Sequence, residues 1–379
     1  MIYLDNAATT PVHPDVLKAM LPYLDKQYGN PSGIYEFAEK SKAAIDEVRK
    51  IIAGSINAKP EEIYFTSGGT ESDNWALIGM AEALKDKGRH IITTAIEHHA
   101  VINTCEYLKQ RGYDVTYLDV DNEGIINLKN LRDSIRKDTI LISIMCANNE
   151  VGSIQPIKSI GEIAHRNNIC FHTDAVQAYL HTQIDVKKMN IDMMSASSHK
   201  FRGAKGCGFL YIRDGIKPAV FMHGGKQESG VRAGTENVHG IVGMGEAVKI
   251  GLKNMSKNIV YTRNMRDYLW YRIEHEIPNV VLNGSRYDRL PGNLNVSFLG
   301  IEGQSLLVML DMDGICTSSG SACTAGLGGG SHVLKALGAS GDRLKGALRM
   351  TLDVQNTMEE MDYVVWRIKE NVATLRDNI

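Results

Sequence analysis

The chain has 379 residues, of which 43% are hydrophobic and 23% are charged, a balance typical of a globular protein large enough for two domains. Its formal net charge is -2 and it has no long block of like charges, so electrostatics does not favour a nucleic-acid or membrane-surface binder. It also lacks an uninterrupted apolar run of about 18 residues and the pattern of a secretory signal, which argues against a membrane span and against export.

Short β-rich segments alternate with amphipathic helical segments through the first two thirds of the chain. The clearest helix is predicted over Glu36–Ala53, with one apolar face and Gly54 as its stop. This alternation predicts a mostly parallel sheet covered by helices, in which ligands bind at the carboxyl ends of the strands. The predicted strands are Glu62–Phe65, His90–Ala95, Asp114–Leu118, Thr139–Met145, Cys170–His172, Met193–Ala196 and Gly208–Ile212.

After about residue 250 the pattern changes to that of a smaller α+β unit. We predict an α/β fold with a large domain over residues 13–250 and a small domain made of residues 1–12 and 251–379. The predicted elements of the small domain are a helix at Ile250–Glu276, strands at Val280–Leu282 and Asn293–Phe298, and helices at Gln304–Met312 and Met358–Arg376.

The segment Thr66–Ser72, Thr-Ser-Gly-Gly-Thr-Glu-Ser, follows a predicted strand and opens a helix. Its glycines allow close backbone approach, and the first amides of a helix together with hydroxyl groups suit a phosphate. It is not a Walker A loop, because the Gly-Lys-Ser/Thr ending is missing. An ordinary capped turn between strand and helix is an equal alternative.

A carboxylate and an amine follow two later strands. Asp174 could keep a pyridinium nitrogen protonated, which makes pyridoxal phosphate an electron sink, although alone it is more simply an N-cap aspartate. Lys200 could anchor the same cofactor as a Schiff base, although a lone lysine is usually a solvated surface residue. The order of phosphate turn, aspartate and lysine within one α/β block favours the cofactor site.

His98 and His99 follow the strand predicted at His90–Ala95. A histidine at this position could stack on a cofactor ring and transfer protons. Adjacent histidines in a regular element point in different directions, so we predict no metal site here. A solvent-facing side chain is the alternative, and it fits His99 better than His98.

The six cysteines form no C-x-x-C pair and do not resemble a disulfide scaffold, so we expect the protein to be located in a reducing cytoplasm. Cys323 differs from the others because it lies in a polar, small-residue loop, Ser318–Ser331. An accessible loop thiol suits a nucleophile, and a long loop lets it travel. The alternative is an incidental surface cysteine. Cys316 lies in an apolar run and is expected in the core.

Together these motifs resemble the cysteine desulfurase family, the NifS/IscS group of class V aminotransferase-like enzymes within the fold-type I pyridoxal-phosphate transferases. The likeness covers nearly the whole chain. The matching segments are Tyr3–Thr10, Gly29–Ser32, Thr66–Ser72, Glu97-His98, Asn148–Gly152, His172–Gln177, His199-Lys200, Arg232–Asn237, Ser318–Cys323 and Ser331–Leu334.

The resemblance implies that L-cysteine is converted to L-alanine while its sulfur becomes a persulfide on Cys323. Lys200 would bind the cofactor covalently, and His98 would stack on the ring and transfer protons. The other implied cofactor contacts are Asp174 at the pyridine nitrogen, Gln177 and Asn149 near the ring hydroxyl, and Gly69, Thr70, Ser197 and His199 at the phosphate.

The resemblance also implies partners and a substrate pocket. Thr235 would reach the phosphate bound by a second subunit, so a homodimer is expected. Asn30, Asn149 and Arg349 are the implied substrate contacts, with Asn30 and Arg349 as candidates for the carboxylate. The persulfide would pass to an acceptor protein for iron–sulfur cluster assembly, tRNA thiolation or cofactor synthesis, and the sequence leaves this choice open.

The sequence departs from the family pattern at several positions. Phe201-Arg-Gly-Ala-Lys-Gly206 replaces the usual Tyr-Gly-Pro-Lys-Gly after the lysine, and Asp353 stands where a glycine is usual. The other departures are Ser229 and Val231 in place of arginines, Gly328–Gly330 in place of a Glu-Pro pair, and an end at Ile379 without the extension that related enzymes use to dock an iron–sulfur scaffold.

Other functions fit parts of this pattern. An aminotransferase shares the fold but needs no nucleophilic thiol, so Cys323 argues against it. A selenocysteine lyase is not distinguished from a desulfurase by the sequence. A sulfur-relay or scaffold partner with weak catalysis would account for departures such as Asp353, but the presence of Lys200, Asp174 and His98 argues against it.

Overall fold

The computed structural model describes residues 1–319 and 330–377. The strands are β1 Ile2–Tyr3, β2 Ile63–Thr66, β3 His90–Thr94, β4 Asp114–Leu118, β5 Thr139–Ser143, β6 Cys170–Asp174, β7 Met193–Ser197, β8 Gly208–Ile212, β9 Val280–Leu282, β10 Asn293–Phe298, β11 Ile315–Cys316 and β12 Ala347–Thr351. The helices are α1 Pro14–Met20, α2 Pro22–Asp25, α3 Glu36–Ser55, α4 Gly69–Ala83, α5 His99–Lys109, α6 Leu128–Ser134, α7 Ile157–Arg166, α8 Val238–Glu276, α9 Gly303–Met312, α10 His332–Ala336, α11 Gly341–Lys345 and α12 Met358–Asp377.

The main sheet has seven strands in the order β2-β8-β7-β6-β5-β3-β4, and only β8 runs antiparallel to its neighbours. The predicted mostly parallel seven-stranded sheet is therefore confirmed. Strands β3, β5, β6, β7 and β8 are buried along their whole length, as expected for a sheet covered by helices on both faces. The predicted strand ends differ from the observed ones by no more than a few residues.

The later part of the chain forms a smaller sheet of three antiparallel strands, in the order β12-β10-β9. Its middle strand pairs with both others, and a short parallel pair joins β1 to β11. Strand β12 was not predicted, because Ala347–Thr351 has only one β-branched residue. In the part of the chain that the structure describes, no helix is both long and apolar enough to cross a membrane.

The apolar side chains pack into separate clusters. The largest cluster joins the first helices to the main sheet, while another combines Leu4 with residues from Met265 to Val372. We retain the proposed division into residues 13–250 and residues 1–12 plus 251–379 on the strength of these clusters. Helix α8 has 39 residues and runs through the proposed boundary without a break. Its first half packs on the large cluster and its second half packs on the cluster that contains Leu4.

Candidate active site

A cavity of about 290 Å³ lies where β5, β6 and β7 end. This is the edge of a largely parallel sheet at which ligands are expected to bind. The predicted site residues that line the cavity are Gly69, Thr70, His98, Asn149, Asp174, Gln177, Ser197, His199, Lys200 and Arg349. Motifs that are far apart in the sequence therefore meet at one edge of the sheet, as expected for a mostly parallel sheet.

Lys200 reaches the cavity from a short 3-10 turn, Ser198–Lys200, directly after β7. Its Nζ donates hydrogen bonds to the carbonyl oxygens of Ala7 at 2.5 Å and Ala8 at 2.8 Å. The amino-terminal segment thus holds the amine at the cavity wall. This position argues against the alternative of a solvated surface lysine.

Asp174 is the last residue of β6 and is only 6% exposed. Its Oδ1 accepts a hydrogen bond from the Val176 amide at 2.8 Å, which fixes the carboxyl plane. Burial raises the pKa of Asp174, while the nearby charges of His98 and Lys200 act in the opposite direction. A carboxyl group with a raised pKa is suited to share a proton with a basic ring nitrogen.

His98 is the N-cap of α5, and its Nδ1 accepts a hydrogen bond from the Ala100 amide at 3.1 Å. Burial lowers the pKa of His98, so the imidazole is neutral near neutral pH. Because Nδ1 is an acceptor, the proton of the neutral ring is on Nε2. The helix cap therefore fixes both the orientation and the tautomer of this side chain.

The first turn of α4 forms one end of the cavity. The first amides of a helix lack partners within it and can bind an anion. A Cβ atom on Gly69 would lie 2.6 Å from Val176 Cγ2, so a larger residue would push Val176, in the segment after β6, away from this helix end. His199 Nδ1 lies 3.1 Å from Thr9 Oγ1, and burial lowers the pKa of His199 to about 4, which keeps this ring neutral.

Arg349 lies on β12 and is 2% exposed. Its Nη2 forms an ion pair of 2.7 Å with Asp5 Oδ1, and its Nη1 donates to the Asn149 carbonyl oxygen at 3.2 Å. Its Nε has no hydrogen-bond partner among the described residues. The guanidinium is thus held in place with one donor still available for a ligand.

Several cavity residues were not predicted: Asp73, Glu150, His99 and His332. Asp73 immediately follows the predicted phosphate turn, and Glu150 lies inside a segment that resembles the family, so both were adjacent to recognised motifs. The His99 and His332 rings lie 4.9 Å apart at the cavity wall. The position of His99 at the cavity wall therefore argues against the alternative of a solvent-facing side chain.

Other predicted residues are not brought to this cavity. Asn30 and Thr235 are exposed and do not line it. Cys323, with most of its loop, lies outside the described residues. The roles of these residues stay predictions. Asp353, four residues after Arg349, does not line the cavity either.

The residues of the cavity fit pyridoxal phosphate. Because Gly69 has no Cβ atom, a phosphate can approach the backbone amides at the N-terminus of α4. The buried carboxyl of Asp174 suits the ring nitrogen, and the Lys200 amine suits the aldehyde carbon.

Comparison with known proteins agrees with this chemistry. The family model described as Aminotransferase class-V matches residues 2–364. Cysteine desulfurase IscS of Methanosarcina thermophila is 52% identical to the chain, over 99% of this chain and 93% of that protein.

Two solved structures are also similar. A NifS-like protein superposes with a TM-score of 0.93 at 37% identity, covering 99% of this chain and 100% of the other. A structure described as SspA in complex with cysteine has a TM-score of 0.84 at 38% identity, covering 93% of this chain and 99% of the other.

Proposed function

The chain belongs to the class-V aminotransferase family and is a pyridoxal-phosphate-dependent cysteine desulfurase, and we propose that the cavity at the ends of β5, β6 and β7 is its active site. The observation that carries this proposal is the convergence of Lys200, Asp174 and Arg349 on one cavity. The direct test is to give the purified holoenzyme L-cysteine and measure alanine and sulfide, which should appear in equal amounts under reducing conditions. Transfer of the amino group to a 2-oxo acid, without sulfide, would instead indicate an aminotransferase.

When bound, the cofactor supplies an electron sink that stabilises negative charge at the substrate α-carbon. We assign the covalent attachment of the cofactor to Lys200, and the transfer of the substrate α-proton to its amine once that amine is free. In support, the Nζ is held at the cavity wall by the carbonyl oxygens of Ala7 and Ala8.

We assign to His98 the stacking position above the ring and a part in proton transfer. In support, burial keeps the ring neutral and the helix cap places its proton on Nε2, so it can donate to a developing negative charge without first being ionised. The phosphate contacts are assigned to Gly69 and Thr70, at the N-terminus of α4, and to Ser197 and His199, which lie at and just after the end of β7 and line the same cavity.

Asp174→Asn is expected to lower alanine formation by roughly a hundredfold or more, because an amide cannot balance a positive charge on the ring nitrogen. The measurement is the rate of alanine release at equal cofactor content, determined by the visible absorbance of the bound cofactor. Asp192→Asn serves as a control, because Asp192 is a partly buried carboxylate that does not line the cavity. An unchanged rate in Asp174→Asn with full cofactor occupancy would contradict this assignment.

We assign the substrate carboxylate to Arg349, with Asn149 beside it, because the guanidinium is fixed by Asp5 and retains a free Nε donor. Arg349→Lys should raise the KM for L-cysteine roughly 10- to 100-fold, since a lysine lacks the Nε donor and the planar guanidinium that Asp5 holds in place. Steady-state kinetics measure this effect, and Arg343→Lys, outside the cavity, is the control. An unchanged KM would assign the carboxylate to another residue, with Asn30 as the next candidate.

We propose that the enzyme acts as a homodimer. Large apolar side chains are exposed along the segment that contains α1 and α2: Leu17 50%, Leu21 51%, Leu24 54%, Tyr28 73% and Ile34 99%. A concentration of exposed apolar residues of this kind is typical of an interaction surface. Thr235 is also exposed, as a residue that contacts a second subunit's phosphate needs to be.

For the location of the enzyme we propose a reducing cytoplasm, because the five described cysteines are all free. The persulfide that we assign to Cys323 would be delivered to an acceptor protein. Iron–sulfur cluster assembly, tRNA thiolation and cofactor synthesis are the candidate destinations.

A further inference from the structure

A second cavity, of about 110 Å³, shares Ala7, Gln177 and Lys200 with the active-site cavity. Its wall also contains Arg202, from the segment after Lys200, and Asp353, from the segment after β12. The two cavities are thus separated by the residues that hold the amine of Lys200. Charged side chains in the second cavity can therefore affect the position of Lys200, because the backbone around Lys200 borders both cavities.

Arg202 and Asp353 face each other across this second cavity. The Nε of Arg202 lies 3.7 Å from Oδ2 of Asp353, and the side chains are only 21% and 16% exposed. Neither of these two atoms has a hydrogen-bond partner among the described residues, and each side chain forms its ion pair with the other, with the partly buried His181 as a further neighbour of Asp353.

The backbone around Arg202 is held tightly. Arg202 has a φ of +69°, a left-handed conformation that costs energy for a residue with a Cβ atom and persists only when its surroundings enforce it. The Arg202 amide donates to Thr10 Oγ1 at 2.9 Å, and the His13 amide donates to the Arg202 carbonyl oxygen at 3.0 Å. The segment that contains Thr10 and His13 follows directly on Ala7 and Ala8, which accept the hydrogen bonds of Lys200.

Asp353 is joined to Arg349 by a short stretch of backbone at the end of β12. It follows β12 by two residues, and its amide donates to Asn356 Oδ1 at 3.0 Å. The pair of Arg202 and Asp353 therefore links the segment that follows β12 to the segment that follows Lys200.

We propose that Arg202 and Asp353 are a pair of positioning residues that hold the carboxylate-binding guanidinium of Arg349 at the correct distance from Lys200. This inference rests on the roles proposed above for Lys200 and Arg349. Removing either partner leaves a partly buried charge without its counter-ion, whereas exchanging the two charges retains the attraction. Aspartate is also tolerated in the left-handed conformation at position 202, so the exchange is structurally feasible.

The test uses the holoenzyme and two amines without a thiol, L-alanine and ethylamine, which differ by the carboxylate alone. Asp353→Gly and Arg202→Gln should each weaken binding of L-alanine roughly fivefold and leave ethylamine binding unchanged. The double variant Arg202→Asp with Asp353→Arg should recover most of the L-alanine affinity. Titration calorimetry measures both affinities, and the KM for L-cysteine should rise more than kcat falls.

A purely structural role would give a different result. It would lower the melting temperature and either leave both affinities unchanged or weaken them equally, and either outcome would overturn the proposal. Failure of the double variant to recover affinity would do the same. Arg349→Lys distinguishes the role of Arg349 from that of the positioning pair. If this variant does not weaken the binding of L-alanine relative to that of ethylamine, the role assigned to Arg349 is wrong. If it does weaken that binding and Asp353→Gly does not, only the role of the positioning pair is wrong.

Discussion

Replacing Lys200 by alanine should reduce alanine formation from L-cysteine at least about a thousandfold, because the variant loses both the amine that attaches the cofactor and the base that transfers the α-proton. The carbonyl oxygens of Ala7 and Ala8 accept hydrogen bonds from this amine and can be solvated once it is removed. The fold should therefore survive. The measurements are alanine release and the visible absorbance of protein reconstituted with pyridoxal phosphate.

Lys205→Ala is the matched control, because Lys205 lies five residues further on and is exposed. It should retain normal turnover. A small primary amine added to the Lys200→Ala variant should restore part of the lost rate, since it can replace the missing amine in solution. Near-normal alanine production in Lys200→Ala without added amine would show that the active site has been placed wrongly.

Replacing Cys323 by serine should abolish the protein persulfide and the release of sulfide while leaving cofactor binding intact. A serine hydroxyl is a poor nucleophile towards sulfur, whereas cofactor binding and the first absorbance change with L-cysteine depend on Lys200 and its neighbours. Mass spectrometry after brief treatment with L-cysteine measures the persulfide. The visible absorbance of the same sample reports on the bound cofactor.

The buried cysteines are poor candidates for this role. Burial raises the pKa values of Cys105, Cys146 and Cys207 to about 12, and it raises the pKa of Cys170 well above its usual value. These thiols therefore stay protonated at neutral pH, and the thiolate is the reactive form. Cys316 is half-buried, so Cys316→Ser is the appropriate control and should form the persulfide normally. A persulfide mapped to Cys316, or to another cysteine, would identify a different nucleophile.

Most of the strands and the long helices were predicted because their signals are local. The segment His90–Thr94 is apolar enough to read as a buried strand, and the helix at Glu36–Ser55 shows its apolar face in the sequence itself. Strand β12 gave no such signal, because its residues Ala-Leu-Arg-Met-Thr include only one β-branched side chain, although all five are buried.

Asp174 and Lys200 could be placed at one site from the sequence, because each follows a strand and parallel strands deliver their carboxyl ends to the same edge of a sheet. The antiparallel direction of β8, by contrast, depends on its pairing with β2 and β7, which the sequence of β8 alone does not predict. His99 also illustrates the limit of local reasoning. Its cavity position depends on α10, which brings His332 against it from a distant part of the chain.

The sequence by itself determined the class of fold, the order of the strand-end motifs and, through them, the chemistry of the cavity. Only the tertiary structure decided how the amino-terminal segment holds Lys200 through Ala7 and Ala8, and how Asp5 fixes Arg349. Only the tertiary structure, too, paired Arg202 with Asp353. The physical reason is the same in each case. Periodicity and turn residues act over a few positions, whereas these contacts join residues that are distant in the chain and form only when separate elements pack together.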